Sequence, residues 1–379
     1  MLKLSGRAIR TNISRTALLM LDMNRETPAV LRQDRAWLAI DTQQPPDGYA
    51  HYVGISTSLF GAHAVSSTIL PEDFGYLRGG DILRIATNGH VRTLFRRSSN
   101  HNFLLLTEQC NNFCLMCSQP PKTGDDSWLA DEMQQLIPML PRSTKQIGIT
   151  GGEPTLFGAK FIHILALMRS WLPETSVHVL SNGRLFADEE FTEAYVAVRH
   201  PDLMVGIPLY SDEPSVHDYV VQAAGAFDET VRGILSLKRM GAKVEIRVVV
   251  HKQTYERLIS FAEFVARNLV FVDHVALMGL EITGFTRANI ESLWIDPIEY
   301  KTELSTAVKI LRAYGIRTSI YNHQLCLIDR DIEEAYVRSI SDWKNEYAPE
   351  CEGCRRRQEC GGFFSSGIAH KYSPSVRPF

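Results

Sequence analysis

The chain has 379 residues, 45% of them hydrophobic and 22% charged, with a formal net charge of −3. That composition suits one large or two ordinary globular domains and lacks the basicity of a nucleic-acid binder. No apolar run approaches the roughly 20 residues that cross a bilayer, and Ala17 to Leu21 is too short for a signal-peptide core. An odd count of seven cysteines without a secretory signal favours reduced thiols used as metal ligands in a cytoplasmic protein.

Residues 1–100 read as a small, mainly β domain, with apolar runs at Thr16 to Leu21, Ala36 to Ile40 and His51 to Ile55. Ile82 to Ile85 and Val91 to Phe95 flank Asn88-Gly89, a dipeptide suited to the positive backbone angles of a tight hairpin turn. The unit carries no catalytic motif; docking a substrate peptide and capping the main domain both stay open. Residues 101–315 alternate strands and helices. Strands are expected at Phe103 to Thr107, Ile147 to Thr150, Val177 to Ser181, Leu203 to Pro208, Val244 to Val250 and His274 to Met278. Amphipathic helices are expected at Phe161 to Trp171 and Val231 to Met240, the latter stopped by Gly241. Six β-α units imply an α/β fold, a parallel sheet closing into a partial (β/α)6 barrel, with active-site loops at the C-terminal strand ends. Residues 316–379 form a cysteine-rich C-terminal extension, with a strand at Ile316 to Tyr321, a helical stretch from Asp329 to Trp343 and a tail.

The chemistry sits in two cysteine groups. Cys110, Cys114 and Cys117 follow the first strand of the barrel at the spacing C-x3-C-x2-C. Three thiolates on one loop can hold three irons of a four-iron, four-sulfur cube and leave the fourth iron open; a zinc knuckle and buried thiols are the plainer readings. Thr150-Gly151-Gly152-Glu153-Pro154 ends the second strand, where glycines admit a close backbone approach and Glu153 can accept a charge-assisted hydrogen bond. Ser181-Asn182-Gly183 ends the third strand and Arg247 lies within the fifth; a plain turn and a satisfied ion pair are their alternatives. Cys351, Cys354 and Cys360, with Cys326, make a second set of four, for which a cluster and a structural zinc both have the right stoichiometry. Asp218 reads as a helix cap beside His217, and Asn322 and His323 are candidates for the active-site mouth.

The triad followed by a Gly-Gly-Glu-Pro turn resembles the radical S-adenosylmethionine (radical SAM) superfamily. The resemblance implies a [4Fe-4S] cluster on Cys110, Cys114 and Cys117, chelated at its open iron by SAM, and reductive cleavage of SAM to a 5′-deoxyadenosyl radical. It further implies SAM contacts from Met116, at a place usually held by an aromatic residue, and from Gly151, Gly152, Glu153, Pro154, Ser181, Asn182 and Arg247. The tail, Cys351 to Gly362, resembles the auxiliary-cluster segments of SPASM and twitch subfamilies, implying a second [4Fe-4S] cluster on Cys326, Cys351, Cys354 and Cys360. The runs Leu105 to Pro121 and Cys351 to Gly362 are similar to the maturase subgroup called HxsC of the His-Xaa-Ser repeat system. That likeness implies a ribosomally made peptide or protein substrate with His-Xaa-Ser repeats, a second radical SAM maturase and an electron donor such as flavodoxin or ferredoxin. A radical enzyme acting on a small molecule or RNA, and a non-catalytic metal-binding protein, are the alternatives.

Overall fold

The computed structural model describes residues 3–40, 44–56, 66–338 and 345–379. Its N-terminal sheet has eight strands: β1 (Ser5–Arg7), β2 (Arg10–Thr11), β3 (Ala17–Asp22), β4 (Arg35–Ala39), β5 (His51–Ile55), β6 (Ser67–Leu70), β7 (Ile82–Ile85) and β8 (His90–Phe95), in the spatial order β1-β8-β7-β3-β4-β5-β6-β2. Leu21, Leu38, Val53, Leu70, Phe74 and Leu83 fill its own core. The β7–β8 turn differs from the two-residue form expected at Asn88-Gly89. Ala86 N donates to His90 O and Gly89 alone takes a positive φ, +80°, so the loop is a three-residue one with glycine at its left-handed position.

The main sheet is parallel throughout: β9 (Asn102–Thr107), β10 (Gln146–Gly151), β11 (Ser176–Leu180), β12 (Leu203–Pro208), β13 (Lys243–Val250), β14 (His274–Gly279) and β15 (Thr318–Tyr321), ordered as in sequence. It is a partial barrel, with β9 and β15 at its two edges. Helices α1 (Trp128–Leu136), α2 (Ala159–Trp171), α3 (Glu189–Ala197), α4 (Pro214–Val221), α5 (Ala226–Arg239), α6 (Leu258–Asn268) and α7 (Lys301–Ala313) lie in the connections. Strand alternation decides the two faces. Leu104, Ile147, Ile149, Val177, Val179, Val205, Ile207, Val244, Ile246, Val275, Leu277 and Ile320 belong to the large core shared with the helices. The intervening positions include small and polar residues, among them Gly148, His178, Gly206, Glu245, Arg247, His274 and Ser319.

Two expectations change. The strand placed at the head of the C-terminal extension pairs with β14 and completes a seven-stranded sheet, so the barrel runs past residue 315. The helix expected from Asp329 to Trp343 is instead a 3-10 segment, Arg330–Ala335, followed by a bridge from Tyr336 to Ile320; residues 339–343 lie outside the described residues. Docking of the N-terminal sheet is electrostatic and apolar together. Arg84 and Arg92 pair with the buried Glu132 of α1 at 2.9 and 3.4 Å and lie over the Trp128 ring, while Ile82, Leu94 and Phe95 enter the barrel's core. Among the described residues no helix is long and apolar enough to cross a membrane.

Candidate active site at the C-terminal strand ends

The first three strand ends are stitched together by backbone and one carboxylate. After β9, Asp126 accepts from Thr107 Oγ1 (2.9 Å) and Glu108 N (2.5 Å), turning the chain into the cysteine loop. Gly152 N then donates to Thr107 O (2.8 Å) and Glu153 N to Gln109 O (2.7 Å). A Cβ on Gly152 would stand 2.1 Å from Gln109 O, and one on Gly151 2.6 Å from Thr107 O. Both glycines are therefore required for the turn to lie against the cysteine loop.

Glu153 is tied into the protein's own hydrogen bonds. Its side chain is buried, and Oε1 accepts from Thr155 N (3.0 Å), Thr155 Oγ1 (2.7 Å) and Ser181 Oγ (2.8 Å) while Oε2 accepts from Asn182 N (2.5 Å). Burial pushes this carboxyl's pKa up, against the pull of those donors. With its oxygens engaged, Glu153 ties the β10 turn to the β11 turn; it and the buried Pro154 sit behind the cavity wall.

The cysteine loop is pinned from outside as well. Phe113 N and Leu115 N donate to Val221 O (3.0 Å) and Val220 O (2.9 Å) at the end of α4. Arg184 Nη1 reaches Asn111 O and Asn112 Oδ1, each at 2.8 Å, Asn182 Nδ2 donates to Asn111 Oδ1 (2.6 Å), and Asn289 Nδ2 donates to Leu115 O (2.9 Å). Arg184, Asp126 and Asn289 are functional supports that sequence reading missed. Arg184 had a signal, one residue beyond the Ser181-Asn182-Gly183 turn; Asn289 is 174 residues from Leu115 and had none.

A cavity of about 500 Å³ opens over these ends. Cys110, Cys114, Cys117, Met116, Gly151, Gly152, Ser181, Asn182 and Arg247 all line it, as do Pro208, Tyr210, Met278 and Asn322. Met116 is buried with Tyr210, Val220 and Leu293. His323 points elsewhere: it is buried, with Nε2 at 2.9 Å from Tyr300 Oη and Nδ1 at 2.8 Å from Tyr321 O. Its neighbour Asn322 holds φ at +59° and faces the cavity. His217 is likewise buried, its Nδ1 accepting from Tyr210 N (3.2 Å), and burial brings both imidazoles down to about 4. Asp218 caps α5, accepting from Gly225 N (2.6 Å) and Phe227 N (2.8 Å), the expected capping duty.

Burial raises all three loop thiols. Cys110 rises to about 11, with Glu153 and Cys117 adding to the shift, and Cys114 to about 12, with Cys117 and Cys110 adding. Below the strand ends, Arg247 Nη1 donates to Glu245 Oε1 (2.6 Å), the ion pair that was its alternative reading, and Nη2 contacts Met278 Sδ (3.3 Å). Burial opposes the charge on Glu245, yet the hydrogen bond from His274 (2.6 Å) and the Arg247 charge bring its carboxyl down to about 2.

Residues 104–265 match the family model described as the radical SAM superfamily. That stretch of the chain is similar to the radical SAM superfamily. No curated protein is significantly similar to the chain in sequence. Among solved structures, Streptococcus suis SuiB bound to S-adenosylmethionine is 16% identical with a TM-score of 0.46, covering 57% of this chain and 50% of SuiB. Native anSMEcpe with bound AdoMet is 17% identical with a TM-score of 0.43, covering 58% and 63%. The coproporphyrinogen III oxidase HemN of Escherichia coli is 14% identical with a TM-score of 0.44, covering 56% and 53%. The chain thus spans about half to under two thirds of these proteins.

A radical SAM domain implies a [4Fe-4S] cluster and SAM, and the residues present fit them. Three sulfur donors come from one loop, they share one cavity, and thiols raised this far need a cation beside them to ionise. The second cysteine set also shares a cavity. Cys326, Cys351, Cys354 and Cys360 line it with Tyr347, Arg357 and residues 376–379. Cys360 Sγ accepts from Leu325 N and Gly362 N, each at 3.4 Å, and Cys354 Sγ from Phe379 N at 3.5 Å. Among the described residues no group of three or more His, Cys, Asp or Glu side chains converges on a single-ion site.

Proposed function

We propose that this chain is a radical SAM peptide maturase, modifying a ribosomally made peptide or protein with His-Xaa-Ser repeats. The observation that carries the reading is the gathering of Cys110, Cys114 and Cys117 with Gly151, Gly152, Ser181, Asn182 and Arg247 around one cavity large enough for a nucleotide-sized ligand. When bound, the cluster and SAM supply one-electron hydrogen abstraction from an unactivated C–H bond. The chain's own residues bind and shelter. The three thiols are the iron ligands, the glycine turn and Ser181-Asn182 form the polar wall, Arg247 offers N–H donors to an anionic group, and Met116 with Tyr210 excludes water. Cys326, Cys351, Cys354 and Cys360 hold a second cluster in this reading, a cytoplasmic flavodoxin or ferredoxin delivers electrons, and a second maturase works on the same peptide.

The test is anaerobic. Iron-loaded protein, a one-electron reductant, SAM and a co-expressed His-Xaa-Ser peptide are expected to yield 5′-deoxyadenosine and a mass change on the peptide. Nucleoside product without peptide change points to a small-molecule or RNA substrate. Absence of both, with zinc and no sulfide in the purified protein, overturns the enzyme reading.

A further inference from the structure

The inside of the barrel holds a polar string that the cavity wall alone does not explain. Ser319 Oγ on β15 lies 2.9 Å from His274 Nε2 on β14, His274 Nδ1 lies 2.6 Å from Glu245 Oε2 on β13, and Glu245 Oε1 lies 2.6 Å from Arg247 Nη1. Three adjacent strands thus deliver one chain of contacts to a guanidinium on the cavity wall. On the other side, His178 Nε2 of β11 stands 3.5 Å from Glu245 Oε1. β12 crosses between them at Gly206, where a Cβ would meet His178 Nε2 at 2.8 Å and Arg247 Cδ at 2.9 Å. Only a residue without a side chain leaves room for that approach. Arg247 has five N–H donors; one is taken by Glu245 and one by the weak acceptor Met278 Sδ, and the others meet no protein acceptor among the described residues.

We infer that Glu245, fixed by His274 and Ser319, is a positioning residue that aims the spare donors of Arg247, which Gly206 leaves room for, at the carboxylate of SAM. The inference rests on the reading under Proposed function. Arginine loses much rotamer freedom when a ligand orders it, and a guanidinium already held by a buried carboxylate meets a bidentate acceptor with less left to lose.

The test is binding by equilibrium dialysis, with anaerobic, iron-loaded protein and two probes, SAM and decarboxylated SAM. The native chain is expected to prefer SAM about tenfold or more, the scale of one charge-assisted pair. Glu245→Ala is expected to weaken SAM binding about tenfold and leave decarboxylated SAM within about twofold, with partial rescue in Glu245→Asp. Gly206→Ala, whose Cβ would meet Arg247 Cδ, is expected to narrow the same preference, and Glu245→Asp decides the matter if Glu245→Ala does not fold. Equal weakening of both probes, or an unchanged preference in these variants, overturns the inference. So does an unchanged preference in Arg247→Lys, which leaves the radical SAM reading standing. Failure of the native chain to bind either probe overturns that reading and this inference with it.

Discussion

The two cysteine sites draw their sulfurs from different lengths of chain. Cys110, Cys114 and Cys117 belong to eight consecutive residues, and their loop is fixed by partners from α4, the β11 turn and Asn289, while Asn112 N donates to Cys110 Sγ at 3.4 Å. Its cavity is broad and shared with polar strand ends. Cys326 follows the last barrel strand, while Cys351, Cys354 and Cys360 come from the tail, and there backbone N–H groups of Leu325, Gly362 and Phe379 point at the sulfurs themselves. One site is preformed and open; the other closes a long stretch of chain around its contents. If both hold clusters as proposed, metal is asked for chemistry at the first and for cross-linking at the second.

The sharpest way to break this contrast is to remove one ligand from each. Cys114→Ala is expected to abolish 5′-deoxyadenosine formation, read by mass spectrometry, with little change in thermal unfolding because Val220, Val221, Arg184 and Asn289 still hold the loop. Cys354→Ala should do the reverse in part: iron falls from about eight to about four atoms per chain, and stability drops by roughly 2–4 kcal/mol, the scale of releasing a closed loop. Equal loss of stability in both variants removes the distinction.

Next in size is Glu153→Gln. It puts an amide among donors that need an acceptor, and is expected to cost about 2 kcal/mol in denaturant unfolding while slackening the tie between the β10 and β11 turns. A neutral outcome would show that the stitch is dispensable.

The smallest effect is a pH dependence common to both regions. His217 beside the cysteine-loop helix and His323 beside the extension have folded pKa values brought down from 6.5 to about 4 by burial. A depressed histidine contributes stability that is present above pH 6.5 and lost as the pH falls toward 4, because the unfolded chain takes up the proton first. The melting temperature should therefore fall across that window. His217→Asn, whose amide oxygen can accept the Tyr210 N–H, should flatten the fall by up to about 1.4 kcal/mol per pH unit. Glu245 acts lower down, between 4.5 and about 2, its stabilising charge being lost as acid protonates it.

Much of the site was legible along the chain. Cysteine spacing marked the loop, the apolar run Val244 to Val250 marked a strand, and glycines marked the turn. Period-two alternation along that strand puts Glu245 on one face with Arg247, a signal available but unread. The role of Glu153 was not legible, since its spacing says that it follows two glycines and nothing about Ser181 Oγ and Asn182 N converging on it.

By itself the sequence determined the order of parallel strands, the three-sulfur loop and the second set of four, because period-two patterning and ligand spacing are local properties of a chain. Only the tertiary structure decided that the seventh strand joins the barrel, that Glu153 is a buried tie, and that Gly206 clears a path for His178 and Arg247. Those outcomes depend on which donors, acceptors and atoms meet across strands far apart in sequence, and close packing, which no local pattern encodes, settles them.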